Sequence, residues 1–248
     1  MTWMIDRKGI AGNQATGLLK LIALVCMIID HLGAAVYPNH MELRVIGRIA
    51  FPLYAWCLAV GACRTRCMWK YLLRLLAVGA VSQPLYMLVL NHTWDQLNIF
   101  FTLALGLCGI WGIRAKKWGS QVWAPVLAMG AATLLTVDYG WKGVALPILL
   151  YLLRWNRWLL AAGMAAFCYF WAPESRSVAY LFGVRIYPMK QPVLFDLVMP
   201  WFRMQSLAVL SLPLMLIRFP WKVRMPVWLS YAIYPAHLIL IYVLKQVL

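Results

Sequence analysis

The sequence predicts an all-α fold, a polytopic bundle of about nine transmembrane helices within a range of about eight to ten, and three observations carry that expectation. Of 248 residues, 64% are hydrophobic and 12% charged, with a mean hydropathy of +0.75, more apolar than a soluble core requires. The apolar residues gather into Leu-, Ile- and Met-rich runs with short basic gaps, and a hydrocarbon layer of about 30 Å needs about 20 such residues per crossing. Backbone groups in lipid must bond internally, and continuous runs suit helices where a barrel would need alternation.

In chain order the runs are Leu18 to Tyr37, Val45 to Cys63, Tyr71 to Leu90, Ile99 to Ile113, Val122 to Thr136, Val144 to Leu153, Trp158 to Trp171, Met204 to Ile217 and Val227 to Val247. Asp30 and His31 interrupt the first, which is wrong for a signal-peptide core, so it reads as a retained helix. The sixth and eighth are short for a full span, and Pro147 and Pro213 mark them as places to kink or break. Between Ala172 and Trp201, Pro173, Pro188, Pro192 and Pro200 mix with aromatics and scattered charges, leaving room for a surface helix. Trp69, Tyr71, Trp118, Trp123, Trp141 and Trp155 stand near helix ends, where aromatic rings anchor at the interface. No internal repeat or low-complexity tract divides the chain, and residues 1–248 read as one integral membrane domain.

A net charge of +16 would suggest nucleic acid for a soluble chain, but here the basic residues fall in the gaps and read as a topology signal. With the amino terminus inside, the inner side receives Arg7, Lys8, Arg64, Arg66, Lys70, Arg114, Lys116, Lys117, Arg154, Arg157, Arg218, Lys222 and Arg224. The outer side receives Arg44, Lys142, Arg176, Arg185, Lys190 and Arg203. That bias predicts a multi-pass protein of the plasma (inner) membrane with a cytoplasmic amino terminus, partnered by the lipid bilayer and not by nucleic acid. Cys26, Cys57, Cys108 and Cys168 lie inside apolar runs, and Cys63 and Cys67 near a cytoplasmic helix end, so no disulfide framework follows. Cys63 and Cys67 share a helix face, but no other Cys or His stands near in sequence to complete a metal set.

Ionisable groups at membrane depth are the most informative residues, because each is costly and usually faces a bundle interior or a water-filled cavity. A helix entered at Leu18 carries Asp30 and His31 to roughly 20 Å depth. Arg44 and Arg48 are spaced i,i+4 on the second run, Gly47 permits a close helix approach, and Arg48 is placed to meet Asp30. Tyr231, Tyr234 and His237 recur at i,i+3 on the last run, with Pro235 freeing a carbonyl nearby. Gln83, Asn98 and Asp138 are further polar candidates, with helix capping the structural role for Asn98 and Asp138.

These residues fall in five ordered blocks: Leu19-Lys20-Leu21-Ile22-Ala23 leading to Met27-Ile28-Ile29-Asp30-His31; Gly47-Arg48-Ile49-Ala50-Phe51-Pro52-Leu53; Asn98-Ile99-Phe100-Phe101-Thr102; Asp138-Tyr139-Gly140 with Gly143; and Tyr231 through Leu238. Through them the chain resembles the TraX family, whose named member acetylates the amino terminus of conjugative pilin, and more distantly other membrane acyltransferases with a His late in an early helix. The resemblance implies acetyl transfer from acetyl-CoA as co-substrate, without a metal, to an extracytoplasmic acceptor, a protein amino terminus or a glycan.

On that reading His31 is the general base, and Arg48 or Tyr234 donates to the tetrahedral oxyanion. Asp30 holds Arg48 or His237, since adjacent helix residues point about 100° apart and Asp30 does not orient His31. His237 is a second base or a transient acetyl carrier. Arg64, Arg66 and Arg74, with Asn98, are the candidates on the cofactor side, positive-inside retention being the plain alternative for the arginines. Two rivals stand beside the acyltransferase: a proton-coupled small-molecule transporter, against which the missing repeat weighs, and a non-catalytic assembly factor for a surface structure.

Overall fold

The computed structural model describes residues 9–186, 195–220, 223 and 225–247. Arg7, Lys8, Lys190, Lys222 and Arg224 of the charge pattern, with Pro188 and Pro192, lie outside the described residues. The elements in order are α1 (Thr16–Ala35), α2 (Met41–Gly47), α3 (Ala50–Arg64), α4 (Met68–Leu90), α5 (Ile99–Ala115), α6 (Ser120–Leu134), α7 (Gly140–Leu153) and α8 (Arg157–Trp171). A two-stranded antiparallel hairpin, β1 (Tyr180–Leu181) and β2 (Val184–Arg185), follows, then α9 (Phe195–Val198), a 3-10 segment Ser206–Ser211, α10 (Leu212–Leu216) and α11 (Val227–Val247).

This is an all-α membrane-embedded protein. Thr16–Ala35, Met41–Arg64, Met68–Leu90 and Trp228–Val247 are long and apolar enough to cross a bilayer, and Ile99–Ala115, Gly140–Leu153 and Ser206–Leu216 are shorter apolar helices. Most connections between successive helices are turns of a few residues, so the helices alternate in direction. We call the face where α1 begins proximal and the other distal. Rings at helix ends stay exposed, Trp118, Trp123, Trp155 and Trp158 on the proximal face and Trp141 on the distal one, as interfacial anchors do.

The second run differs from a single helix over Val45–Cys63. It begins at Met41 and breaks between Gly47 and Ala50, because Pro52 lacks the N–H that would bond the Arg48 carbonyl and its ring crowds that carbonyl. The break lodges Arg48 at a bend. The eighth run also breaks, into 3-10 turns and then α10 with Pro213 in its first turn, whereas α7 continues through Pro147. Among the described residues between Ala172 and Trp201, the four-residue α9 is the α-helical element, flanked by short 3-10 turns.

At the centre stands α3, whose Leu53, Ala55, Trp56 and Ala62 are fully buried. Its neighbours include α1, α5 and α7, and α4 and α11 pair beside α1. Small residues set the closest approaches: a Cβ on Gly106 would overlap Pro147 and one on Gly112 would overlap Ala124, so α5, α6 and α7 meet nearly backbone to backbone.

Candidate active site

The deep carboxylate of α1 is held by both arginines of the next run. Arg44 Nη1 donates to Asp30 Oδ2 at 2.7 Å and to the Asp30 carbonyl at 3.1 Å, and Arg48 Nη2 donates to Asp30 Oδ1 at 2.8 Å. Gly47 makes this possible, since a Cβ there would overlap the Asp30 carboxylate. Each nitrogen of Arg48 makes a bond: besides Nη2, Nε reaches the Arg44 carbonyl at 3.3 Å and Nη1 reaches Gln205 Oε1 at 3.1 Å. Its guanidinium carbon also lies 5.7 Å from the centre of the Tyr139 ring, within cation–π range.

One residue on, His31 turns to a different helix. Its Nδ1 lies 2.9 Å from His237 Nε2 on α11, with the rings nearly coplanar at 14°. The tautomers follow from the next atom along. His237 Nδ1 lies 3.1 Å from the Ile233 carbonyl, which can only accept, so Nδ1 carries the proton. Neutral His237 then presents a bare Nε2, His31 Nδ1 must donate to it, and His31 Nε2 is left with its lone pair and no hydrogen-bond partner among the described residues. Tyr234, 3% exposed, sets its ring edge-on to both histidines at 6.5 and 5.1 Å.

Five sequence candidates thus form two clusters joined by one peptide bond: Asp30 with Arg48, and His31 with His237 and Tyr234. The cofactor-side arginines do not converge. Arg64 bonds Gln14 Oε1 at 2.8 Å and lines a proximal groove with Arg218, Arg66 borders a separate recess beside Trp69 and Trp111, and Arg74 is exposed on α4. Asn98 is the N-cap of α5: Oδ1 accepts from the Phe100 N–H at 3.0 Å, and Nδ2 donates to the Gly79 carbonyl and Gln83 Oε1, each at 2.8 Å. The links to α4 absorb both of its amide protons.

Two cavities approach the clusters from opposite faces. The proximal one, about 60 Å³, lies between α1, α3, α4, α5 and α11 and is lined by Lys20, Tyr54, Tyr71, Phe100, Tyr231 and Tyr234. Within it the Tyr234 hydroxyl has no hydrogen-bond partner among the described residues. The distal one, about 410 Å³, is bordered by Arg48, Tyr139, Trp141, Trp171, Glu174 and Gln205. Tyr139 reaches its wall from a left-handed backbone at φ 62°, a costly conformation for a bulky residue, locked by stacking on Phe51 at 4.7 Å and by the edge of Trp171 at 5.5 Å. Beside it, in the turn between α6 and α7 and outside the spanning helices, burial pushes the Asp138 carboxyl up to about 6 while the Arg48 guanidinium pulls it down.

Sequence reasoning missed Lys20, Tyr139 and Gln205 as parts of these walls. Lys20 and Tyr139 lie inside two of the five sequence blocks, and Gln205 lies within the apolar run Met204 to Ile217.

The class these features define is a polytopic helical membrane protein with a buried ion cluster beside a buried histidine pair, and with one cavity bordered by Tyr234 and another by Arg48. The family model described as TraX protein matches residues 15–245, and the chain belongs to the TraX family. It is 30% identical over 137 residues to the "Uncharacterized protein RP591" of Rickettsia prowazekii (strain Madrid E), covering 53% of each chain. It is 33% identical over 115 residues to the "Probable fimbrial assembly protein FimC, serogroup H1" of Dichelobacter nodosus, covering 40% of this chain and 46% of that one. The matched segments span about half the length of these curated relatives. No solved structure matches the chain.

Proposed function

We propose that this protein is an acetyltransferase of the plasma (inner) membrane that moves an acetyl group from cytoplasmic acetyl-CoA to an amine or hydroxyl on the outer side, a pilus or fimbrial subunit being the favoured acceptor. The observation that carries the reading is the histidine pair, whose hydrogen-bond chain leaves His31 Nε2 as a base with its lone pair free. Family membership and the relative named for fimbrial assembly support it. The Lys and Arg bias supports a cytoplasmic proximal face.

The proximal cavity is the seat of the acyl thioester, with Tyr234 and the cation Lys20 on its wall. His31 Nε2 takes the proton of the acceptor's nucleophile as that atom bonds to the acyl carbon. The Tyr234 hydroxyl donates to the oxyanion; it is favoured over Arg48, whose guanidinium is already occupied on three sides. As the tetrahedral centre collapses, the C–S bond breaks and His31 returns the proton to the departing thiolate sulfur, so the acceptor gains acetyl and CoA leaves as the thiol. His237 positions His31, with an acetyl-carrying role for His237 as the alternative.

Purified protein in lipid nanodiscs is incubated with labelled acetyl-CoA. Wild type is expected to bind and turn it over, and His31→Ala to lose about 10²- to 10⁴-fold. No binding, hydrolysis or transfer by wild type refutes the proposal. A second reading, an assembly factor without catalysis, rests on the fimbrial assembly relative and predicts that His31→Ala leaves surface assembly intact.

A further inference from the structure

The distal cavity contains a hydrogen-bond donor that the acyl-transfer chemistry above does not use. Gln205 is 8% exposed and fixed at both ends: its backbone N–H donates to Ser175 Oγ at 3.0 Å, and its side-chain oxygen accepts from Arg48 Nη1 at 3.1 Å. Ser175 is itself pinned, its hydroxyl donating to the Ala172 carbonyl at 2.8 Å, while Arg203 braces the same turn through the Pro173 and Ser175 carbonyls at 2.9 and 3.0 Å. A guanidinium can only donate, so the amide cannot be flipped and its oxygen must face Arg48. The planar group therefore turns its NH2 away from Arg48. That nitrogen has no hydrogen-bond partner among the described residues and is not sealed from solvent, so it opens onto the cavity that Gln205 borders.

A preorganised amide donor facing a cavity with aromatic walls selects an uncharged oxygen lone pair, because the aromatic faces of Tyr139, Trp141 and Trp171 cover apolar carbon while the amide supplies direction. The cations nearby already have acidic partners: Arg48 is held by Asp30, and Lys142 by Glu174 at 2.5 Å. We propose that the distal cavity binds the acyl acceptor and that the Gln205 amide donates to a carbonyl or hydroxyl oxygen lying beside the acceptor's nucleophile. This rests on the acyltransferase reading. Asp30 then acts at a distance, since the carboxylate that holds Arg48 also fixes the aim of the Gln205 amide.

The test uses nanodisc-embedded protein, labelled acetyl-CoA and two matched pairs of small acceptors. Alaninamide and methyl glucoside carry an oxygen beside the nucleophile; isopropylamine and cyclohexanol do not. With amine concentrations counted as free base, wild type is expected to favour the oxygen-bearing member of at least one pair by about tenfold in kcat/KM, the worth of one well-placed hydrogen bond, and the pair that shows it identifies a peptide-like or a sugar-like acceptor. Gln205→Glu keeps an oxygen for Arg48 and removes the donor, and Gln205→Met removes both. Each should bring the ratio near one by raising acceptor KM, with acetyl-CoA KM unmoved. The ratio is internal to each sample, so partial loss of folded protein does not affect it. Absence of preference in wild type, a preference retained by both variants, or complete inactivity of Gln205→Glu each overturns the proposal. No turnover by wild type with any acceptor or with water fails the acyltransferase reading first.

Discussion

Replacing Asp30 by Asn keeps the side chain's shape and removes the charge that two guanidiniums share. The two arginines then fare differently. The Arg48 side chain is 8% exposed and that of Arg44 30%, so Arg44 can turn to solvent while Arg48 is left a buried cation without its bonded carboxylate. Removing one partner of a buried pair costs about 3–5 kcal/mol, which is the expected loss for Asp30→Asn. Arg44→Met leaves Asp30 bonded to Arg48 and is expected to lose about 1 kcal/mol, as for a partly exposed pair. The double variant Asp30→Asn with Arg48→Met removes both charges, so the cycle should show a coupling of about 2–4 kcal/mol. Stability is read by SDS-titrated unfolding in mixed micelles, followed by the fluorescence of the chain's 14 tryptophans. If Asp30→Asn is no worse than Arg44→Met, or the losses in the cycle simply add, the ion cluster does not hold α1 to α2 as described.

Three further outcomes follow from the same geometry. Gly47→Ala pushes a methyl group into the Asp30 carboxylate and should destabilise by about 1–3 kcal/mol; a neutral result in the same unfolding assay would contradict the close approach. Asn98→Ala removes the α5 cap and two donors to α4, for an expected loss of about 2–3 kcal/mol, and a loss below about 1 kcal/mol would rule out that link. Because burial raises the Asp138 carboxyl to about 6, its ionisation opposes the fold, and wild type loses stability as pH rises from the ordinary carboxylate range through about 6. Asp138→Asn should therefore raise Tm by about 6–12 °C at pH 7 and by clearly less at pH 4; a pH-independent difference would contradict the assignment.

The parts of the site legible in the sequence were those that lipid makes costly. Asp30 and Arg48 stood out because charge at that depth needs a partner, and Gly47 beside Arg48 indicated where the partner's helix would come close. His31 and His237 were visible singly, but the bond between them joins positions 206 residues apart, and no periodicity reports a contact at that range. Charge bias placed Arg64, Arg66 and Arg74 on one face without giving their direction around the bundle, and the structure sends them to different openings. The bend at Arg48 did have a signal, the ring of Pro52 four residues on. Gln205 had almost none: an amide inside a short apolar run differs from an ordinary helix-end residue only once Arg48 is seen to orient it.

Asp30 and His31 are sequence neighbours, yet one binds α2 and the bend after it while the other binds α11. A helix turns by about 100° per residue, so inserting or deleting one residue of α1 between Lys20 and Asp30 would rotate both side chains off their partners together. Length in that stretch is therefore constrained even where the individual apolar side chains are interchangeable. Leu-to-Ile or Val-to-Met exchanges there leave both clusters aligned, whereas a frame-preserving single-codon deletion breaks them in one step.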